Sequence, residues 1–227
     1  RRVMSSRLLV RLPDSLTDRH AAALMLKGCT VQYLLRRTYR VKAGDTILFH
    51  AAAGGCGLIA CQWAKHLGAT VIGTVSTPEK AELAKAHGCD HVIVYGRESF
   101  AGRVKELTDG AGVPVVYDSV GKDTFADSLD CLQPRGLMVS FGNSSGAIQS
   151  FSPSLLAAKG SLYLTRPTLV THVGTREDLE MTTNDLFDVI SKGVVRVNIN
   201  QSYLLQTAQQ AHRELEGRKT IGSSVLL

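Results

Sequence analysis

The chain has 227 residues, of which 44% are hydrophobic and 20% are charged, a composition that suits a globular protein with a core of its own. No apolar run approaches the roughly 20 residues of a bilayer-spanning helix, and no charged-then-apolar targeting segment opens the sequence, so no membrane association is predicted. The formal net charge of +6 is concentrated in residues 1–40, which hold nine Lys and Arg against two Asp.

The predicted elements start with a strand at residues 7–11 and a helix from about residue 16. From residue 46 onward, short β-prone runs alternate with segments of helical periodicity. The predicted strands are residues 46–51, 70–75, 91–94, 114–118, 136–141 and 161–165. The predicted helices between them are residues 58–67, 78–87, 100–107, 123–132 and 154–159. Continuous apolar strands joined by helices are typical of a sheet that is covered on both faces.

The fold class predicted from this alternation is α/β, with a doubly wound, parallel, six-stranded sheet of the Rossmann type. The flanks do not continue the rhythm. After residue 167 the sequence predicts helices at about 176–192 and 207–216 and a last strand at 221–227. The chain is therefore expected to form one Rossmann unit, preceded and followed in the sequence by elements that do not belong to its sheet.

A glycine-rich turn joins the first central strand to the first central helix. Gly54, Gly55 and Gly57 follow the strand, and the helical pattern begins at once. Against the pattern G-x-G-x-x-G, Ala52 stands at the first glycine position, so the motif is degenerate and a purely structural turn is the alternative. Unpaired N–H groups at a helix N-terminus favour an anion, and we expect the pyrophosphate of a dinucleotide there.

The residues after the second central strand favour NADPH over NADH. In NAD-binding folds an acidic side chain about 20 positions beyond the glycines binds the ribose 2′-hydroxyl. Here Ser76 takes that place, and Lys80 follows one helical turn later. A hydroxyl and an ammonium would hold a 2′-phosphate that an acid would repel. The alternative is that Lys80 is an ordinary surface lysine.

The cysteines and the basic leading segment carry weaker signals. Five cysteines form no C-x-x-C pair, so neither a zinc site nor a disulfide framework is predicted and a reducing, cytoplasmic location is expected. Cys56 lies in the glycine turn, where a helix N-terminus could lower the pKa of its thiol and make it reactive, although a small apolar role is favoured. Residues 1–40 lack the regular interleaving of aromatics that nucleic-acid binders use, so a solvated surface is favoured over RNA binding.

Several further motifs accompany the glycine turn. They are Leu-Lys-Gly-Cys-Thr at 26–30, Ala-Ala-Ala-Gly-Gly-Cys-Gly at 51–57, Tyr-Asp-Ser-Val-Gly at 117–121, Ser-Phe-Gly-Asn-Ser-Ser-Gly at 140–146, Lys-Gly-Ser-Leu-Tyr at 159–163 and Gly-Ser-Ser at 222–224. With these motifs, essentially the whole chain resembles the zinc-independent quinone oxidoreductases (zeta-crystallin type) of the medium-chain dehydrogenase/reductase superfamily.

The resemblance implies a division into three parts. Members of that family begin with a GroES-like substrate domain, and most of it is expected to be absent from this chain. Residues 1–26 would be a remnant of the GroES-like domain, 27–168 the NADP-binding Rossmann domain, and 169–227 a segment that returns to the substrate domain.

The resemblance also implies a set of NADPH-binding residues. The pyrophosphate would lie along Gly54, Gly55, Cys56 and Gly57. The adenosine side would be held by Ser119 and Val120 at the adenine and ribose, and by Ser76, Lys80, Tyr95 and Arg218 at the 2′-phosphate. The nicotinamide half would be framed by Phe141, Gly142, Asn143, Ser144, Pro167, Thr168 and Leu169, with Thr30 and Tyr33 near its ribose. The structural alternatives are that Phe141 belongs to the core and that Tyr95 is an ordinary strand-end aromatic.

The activity implied by the resemblance is hydride transfer from NADPH to a quinone, without a metal. No catalytic residue is assigned in this chain, because the substrate-contacting residues of the family would belong to the absent domain, and this part alone is expected to turn over poorly. One alternative is an NADPH-dependent alkenal or enone double-bond reductase, which needs the same cofactor half. Another is a nucleotide- or RNA-binding module without turnover. A methyltransferase is disfavoured by Lys80, which suits a phosphate better than a bare ribose.

The last strand of the sheet is predicted to determine the oligomeric state of the protein. Residues 161–165 would form an edge strand, and Leu162, Tyr163 and Leu164 make that edge apolar. Unpaired edges invite pairing with another strand, and twofold assemblies are the commonest. We therefore expect a homodimer through this strand.

Overall fold

The structure, a computed structural model, describes residues 3–217 and 219–227. Its centre is a parallel sheet formed by β1 Thr46–Phe49, β2 Thr70–Val75, β3 His91–Val94, β4 Val113–Asp118, β5 Leu132–Ser140 and β6 Tyr163–Thr165. The spatial order of these strands is β3-β2-β1-β4-β5-β6, which is the order of a dinucleotide-binding Rossmann sheet. The predicted fold class is confirmed.

Helices connect the strands and flank the sheet. They are α1 Asp18–Tyr33, α2 Gly55–His66, α3 Pro78–Ala86, α4 Phe100–Leu107, α5 Phe125–Asp130, α6 Ser154–Ala158, α7 Leu169–His172, α8 Arg176–Ser191 and α9 Ala208–Glu216. Short 3₁₀ turns occupy Ser6–Leu8 and Leu205–Thr207, and a π-helical turn occupies Leu34–Thr38. Within residues 3–217 and 219–227, no helix combines the length and apolarity that crossing a membrane requires.

Alternate residues of the central strands are buried on opposite faces of the sheet. On β1, Ile47 and Phe49 join one core cluster and Leu48 joins the other, as the period of two in a strand requires. Helices α1, α2, α3 and α8 cover the first face, and α4, α5 and α6 cover the second. Ile47, Leu48 and Phe49 are all almost completely buried, so β1 lies in the middle of the molecule.

The helix that follows the glycine turn is held firmly against the sheet. Ile59 and Trp63 recur at helical spacing on α2, and each is only 2% exposed. Both belong to the core cluster that contains Ile47 and Phe49 of β1. Removing a buried aromatic side chain of this size costs about 3–5 kcal/mol, so this packing fixes the N-terminus of α2 over the end of β1.

The central strands follow the predictions closely, although several bounds differ: β4 begins one residue early, β6 begins two residues late, and the larger differences are in β1 and β5. β2 and β3 have the predicted bounds, whereas β1 ends at Phe49 and not at residue 51. The backbone of Ala51 has a φ of 54°, a left-handed conformation that a strand cannot contain. β5 begins at Leu132, four residues before the predicted start.

In the segments before and after the central sheet, one predicted strand is wrong and one observed strand was not predicted. The predicted strand at 7–11 is wrong, because Ser6–Leu8 forms a 3₁₀ turn and the residues after it have no regular structure. No strand in the described part of the chain pairs with this segment, so its backbone groups have no ladder to join. The prediction misses β7 Ile199–Tyr203, a polar segment that pairs in parallel with β8 Ser223–Leu226 in a second, two-stranded sheet.

Candidate functional site

The predicted site residues converge on the edge of the sheet where the parallel strands end. Across that edge lie Tyr95 after β3, Ser76 and Lys80 after β2, residues 54–57 after β1, Ser119 and Val120 after β4, residues 141–144 after β5, and residues 167–169 after β6. Thr30 and Tyr33 come from α1, and Arg218 lies outside the described residues. Ligands of doubly wound sheets bind in the crevice at this edge, where the strand order reverses, which here is between β1 and β4.

The N-terminus of α2 carries no side-chain cap. Gly54 precedes the helix in an extended conformation and offers no side-chain acceptor to the first N–H groups. Four other helices, α1, α3, α4 and α8, receive a side-chain oxygen from Thr17, Thr77, Ser99 and Thr175. The first N–H groups of α2 therefore remain available, and the helix dipole makes this end attractive to an anion.

Gly57 allows α2 to begin directly against the end of β1. A Cβ atom on Gly57 would collide with the carbonyl oxygen of Ala51 and would lie 2.5 Å from that of Ala52. These are backbone atoms, which cannot rotate out of the way. Gly57 thus serves the close helix–strand packing that the last glycine of the dinucleotide-binding motif provides.

Gly55 makes room for a lysine side chain. A Cβ atom on Gly55 would lie 2.5 Å from Cε of Lys27 and 3.0 Å from the carbonyl oxygen of Gly222. Lys27 projects from α1 and lies across the turn, where burial lowers the pKa of its ammonium group. None of the carboxylates in residues 3–217 and 219–227 forms an ion pair with it. An ammonium group held beside the positive end of a helix is well placed to bind a phosphate.

Cys56 does not have the reactive thiol that its place in the turn suggests. Burial raises the pKa of the thiol to about 11, and the neighbouring ammonium of Lys27 only partly opposes this effect. The thiol is therefore protonated at neutral pH, and thiolate chemistry is suppressed. The favoured interpretation of Cys56 as a small apolar residue fits the structure better.

The residues predicted to bind a 2′-phosphate lie just after the C-terminal ends of β2 and β3. Ser76 is exposed directly after β2, and Lys80 lies in the first turn of α3, where its N–H donates to the hydroxyl of Thr77 at 3.3 Å. The hydroxyl of Tyr95 lies 2.5 Å from Nδ1 of His50 and 2.6 Å from the hydroxyl of Thr74. Ser76 and Lys80 thus both follow β2, at its junction with α3, and the Tyr95 hydroxyl lies against the buried residues His50 and Thr74.

The loops after β4 and β5 are joined into one unit. The N–H of Ser144 donates to the carbonyl oxygen of Ser119 at 3.1 Å, and the N–H of Ser145 donates to that of Val120 at 2.9 Å. A Cβ atom on Gly142 would lie 2.6 Å from the Ser119 carbonyl oxygen. Because the two backbones touch here, the predicted site residues of both loops have fixed relative positions.

A cavity of about 470 Å³ opens at the β5–β6 end of the edge. Its lining includes Ser140, Gly142, Asn143, Phe151, Leu164 and Arg166. The guanidinium of Arg166 donates to the carbonyl oxygen of Ser140 at 2.8 Å. Arg166 is missing from the sequence prediction, because a single arginine after a short strand follows no recognisable pattern.

Two aromatic residues border the same end of the site. The ring of Phe141 is half-buried and lies 5.6 Å from the ring of Phe49, so Phe141 both packs on the core and faces the loop region. Tyr33 is 2% exposed, and its ring stacks on His172 at 4.3 Å. Burial raises the pKa of Tyr33 to about 12, although the charge of Arg166 acts in the opposite direction. The phenol is therefore neutral at physiological pH.

Comparisons with known proteins agree with this architecture. The family model described as zinc-binding dehydrogenase matches residues 55–202. A quinone oxidoreductase of Pseudomonas aeruginosa is 56% identical over 99% of this chain and 69% of its own length. A 2-haloacrylate reductase of a Burkholderia species is 48% identical over 100% of this chain and 69% of its own. The crystal structure of Escherichia coli quinone oxidoreductase complexed with NADPH has a TM-score of 0.93 and 54% identity, covering 96% of this chain and 68% of that one.

The fold and these matches define a member of the medium-chain dehydrogenase/reductase superfamily. Within it, the chain belongs to the quinone oxidoreductase family, which confirms the resemblance seen in the sequence. The chain spans about two thirds of the length of these relatives. Among the described residues, no three or more His, Cys, Asp or Glu side chains cluster as the ligands of a metal ion would.

Proposed function

We propose that this chain is the NADPH-binding part of an NADPH-dependent quinone reductase. The observation that carries the proposal is the uncapped N-terminus of α2 beside Lys27, at the edge of a sheet that matches a quinone oxidoreductase crystallised with NADPH. Helix N-termini of this kind bind nucleotide phosphates through their N–H groups. The pyrophosphate of NADPH accordingly lies along Gly54, Gly55, Cys56 and Gly57.

The rest of the coenzyme is proposed to extend in both directions from that turn. The adenosine side lies at Ser119 and Val120, with its 2′-phosphate at Ser76, Lys80 and Tyr95. The nicotinamide half lies at residues 141–144 and 167–169, with Thr30 and Tyr33 near its ribose. The proposal is supported by the convergence of all these residues on one edge of the sheet.

The chemistry of the proposed reaction comes from the coenzyme, while the protein binds and orients the two reactants. When bound, NADPH supplies a hydride, which together with one proton converts a quinone into its hydroquinone and leaves NADP⁺. The joined loops after β4 and β5 hold the nicotinamide end in one orientation, which is how a protein favours transfer between two bound molecules. The cavity beside Arg166 leaves space for a small ring next to that end.

The domain division predicted from the resemblance is kept as part of the proposal. Residues 27–168 form the NADP-binding domain, and residues 1–26 and 169–227 belong with the GroES-like substrate domain. The separate β7–β8 sheet supports this assignment, because it does not extend the six-stranded sheet. Residues that contact the quinone are proposed to lie in the GroES-like domain, so none is assigned here.

The relative named 2-haloacrylate reductase favours a second candidate function, which is reduction of a conjugated carbon–carbon double bond by the same hydride. The two candidates are separated by following NADPH oxidation with 1,4-benzoquinone and with a simple enone, using this chain and a form extended upstream. We expect NADPH binding by the chain, and faster oxidation with the quinone in the extended form. A faster reaction with the enone would favour the second candidate, and a chain that binds no NADPH would contradict both.

We also propose a homodimer formed through β6. This strand pairs with β5 on one side only, and Tyr163 on it is 61% exposed. Antiparallel pairing with the same strand of a second copy would satisfy the open edge. Light scattering is expected to give the mass of two chains across a range of concentrations, and a monomer at every concentration would refute the dimer.

The proposed location is the cytoplasm. All five cysteines are free, and four of them are buried. Reduced thiols are typical of proteins in a reducing compartment, which supports the proposal.

A further inference from the structure

The segment that leads into β8 lies directly against the proposed phosphate-binding turn. The N–H of Gly222 donates to the carbonyl oxygen of Ala53 at 3.1 Å, and Gly222 forms a parallel bridge with Gly54. A Cβ atom on Gly55 would lie 3.0 Å from the carbonyl oxygen of Gly222. Because Gly54 precedes α2 and Gly55 begins it, the position of Gly222 affects the backbone that is proposed to bind the pyrophosphate.

Ser223, the first residue of β8, extends this contact to α1. Its hydroxyl donates to the carbonyl oxygen of Ala23 at 3.2 Å, and both residues are buried. The ammonium group of Lys27 lies 3.5 Å from the same oxygen. The start of β8 therefore contacts both the turn and the helix that carries Lys27, although it is far from both in the sequence.

A β-bulge in β7 holds the start of β8. Ile199 pairs with Ser223 and Gln201 pairs with Ser224, so Asn200 is an extra residue without a partner of its own in the ladder. Its Oδ1 accepts from the N–H of Ser223 at 3.1 Å. Bulges re-aim a side chain and are frequent beside active sites, and this one directs a carboxamide to the residue that follows Gly222.

Asn200 also packs against Gly222 itself. Gly222 has a φ of 51°, and a Cβ atom there would collide with Oδ1 of Asn200 and would lie 2.7 Å from its Cγ. The amide of Gln201 donates to the carbonyl oxygen of Ile221 at 2.7 Å. The two side chains thus hold the residues on either side of Gly222, whose N–H reaches Ala53.

We propose that Asn200 is a positioning residue for the phosphate-binding turn. Its carboxamide holds Gly222, and Gly222 holds the backbone of Ala53 and Gly54 in the conformation that binds the pyrophosphate. This inference rests on the proposed binding of NADPH at that turn. Since β7 and β8 are proposed to belong with the substrate domain, the contact also connects the turn to that domain.

Asn200→Ala tests this role through the affinity for coenzymes. It removes the hydrogen bond to Ser223 and the packing on Gly222. The Kd for NADPH and the Kd for NADH are each expected to rise about fivefold, because the conformation that binds a diphosphate becomes less populated. Adenosine 2′-monophosphate has no diphosphate, so its Kd is expected to stay unchanged. Titration calorimetry measures all three dissociation constants.

Hydrogen exchange in the protein without coenzyme tests the same contact independently. The N–H of Gly222 bonds to Ala53, and the N–H of Gly54 bonds to the carbonyl oxygen of Ala51 at 2.8 Å. Both N–H groups are expected to exchange about fivefold faster in Asn200→Ala, since their exchange reports local opening. Asn200→Asp keeps an acceptor at Oδ1 and is expected to exchange at the wild-type rate.

Asn198→Ala is the matched control. It removes the same kind of side chain from an exposed position, where its amide lies 3.5 Å from Nε2 of His87. The control is expected to change neither the coenzyme affinities nor the exchange rates. If Asn200→Ala does not fold, Asn200→Ser shortens the side chain so that the same contacts are lost while a polar group is kept.

Three results would overturn the proposal. They are a folded Asn200→Ala protein with the wild-type Kd for NADPH, an equal loss of affinity for adenosine 2′-monophosphate, and an unchanged exchange rate at Gly54. A wild-type chain that binds no NADPH would contradict the proposed function instead, while the exchange rates would still test whether Asn200 holds the turn.

Discussion

Gly57→Ala is expected to raise the Kd for NADPH about 30-fold and to destabilise the folded protein by about 2 kcal/mol. The added Cβ would collide with the carbonyl oxygen of Ala51 and would lie 2.5 Å from that of Ala52. Because these atoms belong to the backbone, the turn must open and the first N–H groups of α2 must move. The turn conformation that is proposed to bind phosphate then becomes a minor one, and the apparent Kd rises in inverse proportion to the fraction of molecules that keep it. Calorimetric titration and urea unfolding measure the two effects.

Gly102→Ala is the matched control for this change. Gly102 lies inside α4, where a Cβ would meet only the side chain of Ser99, at 3.6 Å. Alanine is better than glycine in a helix interior by up to about 1 kcal/mol. The control is therefore expected to keep or raise the free energy of unfolding and to leave the Kd for NADPH unchanged. A folded Gly57→Ala protein with wild-type affinity would contradict the role assigned to the turn.

Lys80→Ala is expected to raise the Kd for NADPH about 30-fold while changing the Kd for NADH less than about twofold. Charge-assisted hydrogen bonds to a phosphate contribute about 1.5–3 kcal/mol, and only NADPH carries the 2′-phosphate. The N–H of Lys80 donates to the cap residue Thr77, so the side chain starts from a fixed point beside Ser76. Parallel titrations with the two coenzymes at one salt concentration give the comparison.

Lys85→Ala is the control on the same helix. Lys85 forms an exposed ion pair with Glu82 at 2.9 Å, and pairs of this kind contribute little to stability. Its removal is expected to leave the Kd of both coenzymes unchanged. Equal losses for NADPH and NADH in Lys80→Ala would show that Lys80 does not bind the 2′-phosphate.

The central sheet could be predicted from the sequence because its strands are apolar on both faces. β2 and β3 are short runs of that kind, and their bounds agree with the prediction. The end of β1 could not be predicted, since His50 and Ala51 continue a plausible strand and only the tertiary turn forces Ala51 to a positive φ. β7 is polar and forms only because β8 lies beside it, which no local pattern reveals.

Some residues of the candidate site could likewise be predicted from the local sequence, whereas others depend on contacts between distant segments of the chain. Gly57 and Lys80 could be found because they stand at fixed distances from a strand end within one βαβ unit. Lys27 reaches the turn from a helix that precedes the sheet. His50 follows β1 and Asp118 ends β4, and the two are linked through Ser128 on α5. A histidine and an aspartate at the ends of apolar strands were the available signal, but their partners depend on the order of the strands.

The most direct test of coenzyme binding at the start of α2 is a crystal structure of this chain in complex with NADPH. The diphosphate oxygens are expected about 3 Å from the N–H groups that begin α2, and the 2′-phosphate is expected near Ser76 and Lys80. A structure in which the diphosphate lies elsewhere, while the start of α2 contacts no phosphate, would contradict the proposed binding.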